Sequence, residues 1–258
     1  MKVLIVLAHP EKASLTSSLA MLAKETFESQ GDEVKVSDLY GLGWKSNVDK
    51  EDFPGNNSDR LFVCDASKKA TRSNSLTEDV VEEQKKLLWC DTLFLVFPLW
   101  WFSMPAILKG WVERVFSYGV GYGVGVHDST HWGDRYGEGT FAGKKAMVIT
   151  LAGGWESHYS ARGINGPIED LLFPINHGIL YYSGFDVLPP LVAYRSDSVD
   201  DSSFKKLSLK LKERIISLQE TKPIAYKRQN YGDYTIPALE LKGDIGCGCG
   251  GFSLHIKN

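Results

Sequence analysis

Residues 92–116 read TLFLVFPLWWFSMPAILKGWVERVF, and the fold follows from how this stretch breaks. Its first part, residues 93–97, is an uninterrupted apolar run of strand length, as expected of a strand buried on both faces. Pro98 ends the run. Trp100, Trp101 and Phe102 follow in a loop, and Pro105 suits the first turn of a helix. Ile107, Leu108, Trp111, Val112 and Val115 then recur at spacings of three and four, one face of that helix. A transmembrane span is the competing interpretation, because residues 92–108 carry no charge. Two prolines and a length below the roughly 18 residues of a span argue against it. Ordinary core accounts for the strand and the helix. It does not account for three large rings in the loop between them, which are costly to expose. Open α/β sheets bind ligands at the carboxyl ends of their strands, where this loop falls.

The same rhythm extends in both directions. Residues 2–8 form an apolar strand, and Leu15, Leu19, Leu22, Ala23 and Phe27 mark one face of a helix closed by Gly31. Residues 33–37 alternate as a second strand. Thr77 is placed to cap a helix with acids in its first turn, followed by Val80, Val81, Gln84, Leu87 and Leu88. Further strands are expected at 146–150 and 186–193, the latter entered through a turn at Gly184. Phe204, Leu207, Leu211, Ile215 and Leu218 define the last helix. This succession implies an α/β, doubly wound, parallel five-stranded sheet covered by helices on both faces. Residues 1–220 form that domain and 221–258 a short C-terminal extension. Two stretches interrupt the rhythm: 41–74, without clear period, and 118–143, rich in Gly with Tyr and Trp interleaved. Loops of that length are usually functional or disordered. The extension carries Tyr226, Tyr231, Tyr234 and Phe252, so it is expected to pack on the domain or on a partner subunit.

Composition bounds the answer without deciding it. A chain of 258 residues, 43% hydrophobic and 24% charged, is ordinary for a globular protein with a sizeable core. A net charge of −3 gives no electrostatic reason to expect nucleic acid or an anionic membrane. Met1 leads directly into the first strand without the regions of a signal peptide, so a cytoplasmic location is expected. Cys64, Cys90, Cys247 and Cys249 are too few and too badly spaced for a disulfide framework. Cys247-Gly248-Cys249 lacks the second pair a zinc site needs, and no metal is expected.

Two further loops propose chemistry. In HPEKASLTSS, residues 9–18, Ser14, Thr16, Ser17 and Ser18 cluster at a helix N-terminus, where free N–H groups and the positive dipole end favour phosphate. Helix capping alone would account for one of these hydroxyls. Neither G-x-G-x-x-G nor a Walker lysine is present. In LAGGWESHY, residues 151–159, Gly153 and Gly154 allow close approach of a ligand to the backbone, and Trp155, His158 and Tyr159 supply walls and a proton handle. A plain turn with surface aromatics is the alternative for this segment alone. With strands in the order 2-1-3-4-5, all three loops fall on one edge, at the switch between strands one and three where flavodoxin-like sheets bind flavin. The residues themselves reach as far as a flat phosphorylated ligand.

The blocks LIVLAHPEKASLT, SDLY, EEQKK, FPLWWFSMPAILKGWVERVF, AGG, Tyr159, GPIEDLLFPINHGIL and GFDVLPP, in order across residues 3–194, resemble the NAD(P)H:quinone oxidoreductase family, the DT-diaphorase group. That resemblance implies a flavodoxin-like homodimer that binds FAD, with FMN the lesser option, and reduces small quinones with NADH or NADPH in ping-pong fashion. It places His9, Ser14, Leu15 and Thr16 on the cofactor's phosphates and ribityl chain, with Thr16 where the family commonly has Asn. Pro98, Leu99, Trp100, Trp101 and Phe102 fall on the isoalloxazine loop, Trp100 standing where Gln is common. Leu151, Ala152, Gly153, Gly154 and Tyr159 match the pyrimidine edge, the first two replacing residues that are often threonines. Tyr159, His158 and Gly153 are the implied catalytic group. Phe102, Tyr122, Trp155 and Asn165 are the implied substrate contacts, with Tyr122 reaching over from the partner. Animal members carry a histidine where this chain has Asn165, and an amide takes up no proton near neutral pH. An FMN-dependent azo- or nitroreductase and a non-catalytic flavin-binding subunit are the alternative functions.

Overall fold

The structure is a computed structural model that describes residues 1–246 and 250–257; Cys247-Gly248-Cys249 lies outside them. Its centre is one parallel sheet. β1 (Lys2–Leu7) lies between β2 (Glu33–Asp38) and β3 (Thr92–Pro98), and β4 (Lys145–Ala152) pairs with β3 from Thr92↔Lys145 to Pro98↔Leu151. The order is 2-1-3-4-5. The expected fifth strand is broken into β5 (Asp186–Val187) and β6 (Leu191–Tyr194), both parallel to β4. Pro189 and Pro190 fall in the gap and have no N–H to donate to a ladder.

Alternating residues of the strands feed two cores. Val3, Ile5, Phe94 and Val96 pack under α1 (Leu15–Ser29) and α6 (Asp201–Ile216), where Leu19, Phe27, Leu211 and Ile215 are buried. Leu4, Val6, Leu93, Leu95 and Phe97 face α3 (Glu78–Trp89), α4 (Ala106–Val115) and α5 (Ile168–Ile175), with Leu87, Leu108, Trp111 and Leu172 between. Trp111 is fully buried because its indole N–H donates to Glu83 Oε2 at 2.8 Å. Left unpaired, that group would cost on the order of 1–3 kcal/mol. Thr77 occupies the N-cap position of α3, but its side chain makes no capping hydrogen bond, contrary to expectation.

The stretch 41–74 holds a helix that periodicity did not reveal, α2 (Val63–Ser73). Its buried residues are Ala66, Ser67 and Ala70, too small to mark an apolar stripe. Arg114 of α4 anchors this stretch: its buried guanidinium pairs with Asp52 at 2.9 Å and Asp79 at 2.6 Å. Gly110 admits the chain to the helix surface, since a Cβ there would lie 1.9 Å from Ser46 O.

α5 contains Pro174 and continues into π-helical turns, Asn176–Tyr181. The C-terminal extension packs on this region of its own chain. Phe252 stacks on Phe173 with ring centres 4.3 Å apart, and Tyr226 is buried. His177 is layered against Phe173 at 4.4 Å and Tyr136 at 4.8 Å. The extension also fastens the loop 118–143: Gln229 Nε2 donates to Trp132 O at 2.8 Å, and Asn230 Nδ2 to Glu138 Oε2 at 2.6 Å. Ligand atoms of His131, Asp134 and Glu138 lie within 4.8 Å of one another, a cluster the sequence did not suggest. Hydrogen bonds from Asn230 and Tyr231 engage its glutamate. Among the described residues, no helix is long and apolar enough to cross a membrane.

Candidate functional site

The carboxyl ends of β1, β3 and β4 open onto one cleft of about 240 Å³. His9, Ser14, Leu15 and Thr16 line it from the first loop. Ser14 is the N-cap of α1, in extended conformation, and its Oγ accepts from Ser17 N at 3.1 Å. Ser17 Oγ donates to Glu11 O at 2.9 Å and Ser18 Oγ to Ser14 O at 2.9 Å. Those two hydroxyls therefore tie the loop, and Ser14 Oγ itself donates to Ser17 Oγ at 3.0 Å, which narrows the expected cluster to the Thr16 hydroxyl. Leu15 and Thr16 also present the first helical N–H groups, which have no intrahelical acceptor, at the positive end of the dipole. His9 Nδ1 lies 3.0 Å from Glu11 N and 3.2 Å from Glu11 O, so the main chain of Glu11 fixes the ring and leaves Nε2 without a partner in the loop.

The second wall is Pro98, Leu99 and Trp100. Leu99 N–H donates to Leu151 O at 2.8 Å and so locks the two strand ends together. Trp101 and Phe102 take left-handed conformations, φ 50° and 60°, each costing about 1–2 kcal/mol for a residue with a Cβ. Trp101 is 94% exposed. Of the five loop residues, three line the cleft and two project from it.

Leu151 and Gly153 complete the floor, while Ala152 is buried in the core. A Cβ on Gly153 would lie 2.9 Å from Asp197 Oδ2, and one on Gly154 would lie 3.0 Å from His158 Nδ1 and 3.1 Å from the Tyr159 ring. The glycine pair is thus what lets these side chains close on the backbone, and it brings His158 and Tyr159 to one point. Tyr159 is 9% exposed, its ring 5.7 Å from Tyr194, whose phenol burial pushes up to about 12. Asn165 N–H donates to His158 O at 3.0 Å, so Asn165 fastens the turn through its main chain. Trp155 stands at the rim, 55% exposed, with the Arg195 guanidinium 4.0 Å from its ring centre.

Tyr122 lies elsewhere. Its ring meets Tyr118 of its own chain edge-on at 5.8 Å. Burial raises the pKa of its hydroxyl, which reaches Ser67 and Cys64 of α2. His127 of the same loop likewise packs on Trp132 at 5.4 Å. Sequence reasoning missed Ser196 and Asp197, which line the cleft from the loop after β6. The available signal was topological, because that loop leaves the neighbour of β4 at the same sheet edge.

A family model described as flavodoxin-like fold matches residues 1–215. A ribosyldihydronicotinamide dehydrogenase-like protein of Penicillium crustosum is 55% identical over 262 residues, covering 100% of this chain and 96% of that protein. NAD(P)H dehydrogenase [quinone] 1 of Cavia porcellus is 35% identical over 247 residues, covering 95% of this chain and 87% of the relative. A crystal structure from Klebsiella pneumoniae, named a candidate quinone reductase, superposes with a TM-score of 0.98 at 51% identity, covering all of both chains.

Proposed function

Because the chain belongs to the flavodoxin-like family of NAD(P)H:quinone oxidoreductases, and is an oxidoreductase, we propose that it carries out two-electron reduction of quinones by a dihydronicotinamide at a bound FAD. The observation that carries this reading is the meeting in one cleft of a helix N-terminus with free N–H groups, an apolar strand-to-helix loop and Gly153. The residues fit a flavin. The Thr16 hydroxyl and the Leu15 and Thr16 N–H groups would hold phosphate, with Ser14 capping the helix beside them. Asp197 can only accept when ionised, so it suits a hydroxylated chain and not a phosphate. Pro98, Leu99 and Trp100 form an apolar side wall, and Gly153 and Gly154 would offer backbone N–H groups to a ring edge.

A bound flavin supplies the hydride relay between dihydronicotinamide and quinone. The protein's part is to hold, orient and exclude water. Tyr159 would donate a hydrogen bond toward the ring edge, with His158 as the nearest titratable neighbour and Asn165 unable to take up a proton. Trp155 at the rim would wall the place that the two flat substrates take in turn, in ping-pong fashion, whereas Phe102 projects from the cleft of its own chain. Trp101, almost wholly exposed, and Tyr122, remote from the cleft of its own chain, fit a homodimer in which each site borrows from the other subunit.

The purified protein should be yellow, with one FAD per chain released by heat and identified by mass spectrometry. Release of FMN would move the chain to the azoreductase-like branch. Colourless protein that takes up neither cofactor on reconstitution would end the reading.

A further inference from the structure

The loop after β6 holds Arg195 in a left-handed conformation, φ 54° and ψ 39°. Two contacts over-determine this strained backbone: Arg195 N–H donates to Gly154 O at 2.9 Å, and the guanidinium lies 4.0 Å from the Trp155 ring centre. Among the described residues, no carboxylate pairs with it. Asp197, two residues on, turns its carboxylate to Gly153 instead. Ser196 and Asp197 line the cleft, so Arg195 stands at its rim. Stacking on a ring fixes the guanidinium plane and leaves its N–H edge free. Strained residues of this kind concentrate at ligand clamps.

We propose that Arg195 selects the reductant: its free edge captures a phosphate of the dihydronicotinamide dinucleotide, a group that dihydronicotinamide riboside lacks. The proposal rests on the reductase reading above. Relatives are named for both kinds of reductant, so family membership leaves the choice open. An acidic quinone would offer the same anionic chemistry, and the test separates the two.

The test is steady-state kinetics of the flavin-loaded protein with NADPH, NADH and dihydronicotinamide riboside, against a neutral and then a carboxylated quinone. Wild type, Arg195→Ala and Arg195→Lys are compared, with flavin content measured in each. Arg195→Ala should raise KM for NADH and NADPH about tenfold, as for loss of a charged hydrogen bond. The riboside's KM, kcat and flavin content should stay within about twofold, and Arg195→Lys should recover part of the affinity. An equal rise for all three reductants, or no change for any, would overturn the assignment. An effect confined to the carboxylated quinone would transfer the role to the oxidant, and loss of flavin would transfer it to the cofactor's own phosphates; either overturns it. A wild type that oxidises none of the three reductants fails the reductase reading, and the Arg195 assignment falls with it. A fully active wild type indifferent to the variant fails Arg195 alone.

Discussion

Acid should loosen the C-terminal extension, and His177 should be the main reason. Its ring is layered between Phe173 and Tyr136, faces His255, Tyr181 and Tyr226, and has Nε2 buried with no hydrogen-bond partner. A protonated imidazole needs acceptors for both N–H groups, and this site lacks them. Burial, with a smaller contribution from His255, holds the ring neutral down to about 4 instead of the usual 6.5. The folded value is depressed, so the docked state keeps its full stability above 6.5 and loses it as the pH falls toward 4. That window corresponds to a total of about 3 kcal/mol, of which about 2 kcal/mol is already gone at pH 5. Burial depresses His255 as well, which adds in the same direction. Carboxylates begin to titrate in the lower half of the window, so the comparison must be internal. Hydrogen-exchange protection factors of residues 224–257, corrected for the slower intrinsic exchange in acid, should fall about thirtyfold between pH 7 and pH 5 in the wild type. In His177→Phe, which keeps the stack and removes the titration, they should fall much less. An identical pH dependence in the two proteins would refute the reasoning.

Three other outcomes are expected. Arg114→Leu leaves buried Asp52 with Lys45 Nζ at 3.4 Å as its remaining cation and should lower unfolding free energy by up to about 3–5 kcal/mol in urea titration; a loss below about 1 kcal/mol would mean that the pair does not anchor residues 41–62. Tyr159→Phe should slow flavin reduction about tenfold in stopped-flow bleaching, the worth of one hydrogen bond, whereas a thousandfold loss would show that the phenol moves a proton. Trp101→Gly removes a left-handed strain of about 1–2 kcal/mol and adds about 0.5–1 kcal/mol of chain entropy, so thermal melting should be unchanged or slightly raised; a marked destabilisation would place the exposed ring in a structural contact.

What could be read from the chain was whatever repeats or breaks a repeat. The run ended by Pro98 and the helix after Pro105 placed β3 and α4, and through them the sheet edge that carries the cleft. His9, Ser14, Leu15, Thr16 and residues 98–100 meet in one cleft because each loop sits directly on a strand end, where topology fixes its side. What could not be read depended on contacts distant in sequence. The small face of α2 gave no period, and the use of the serines to tie the loop depended on Glu11 O, Ser14 O and Ser17 Oγ. Tyr122 was assigned from the resemblance alone, and its contacts with Ser67 and Cys64 of α2 had no signal in the spacing. Ser196 and Asp197 are small and polar, and only the return of β6 beside β4 gives them a place.

The double proline between β5 and β6 also bears on how copies of this protein meet. A parallel sheet with an open margin is a template for strand addition by any neighbouring chain. Here Pro189 and Pro190 present no N–H, the carbonyl of Pro189 accepts from Arg214, and the carbonyl of Val187 accepts from Ile224 N–H at 2.8 Å. At the opposite margin, β2 turns Glu33 and Lys35 outward. Both margins are thus guarded, one by occupied backbone groups and the other by charge, which steers self-association away from ladder extension and toward side-chain surfaces.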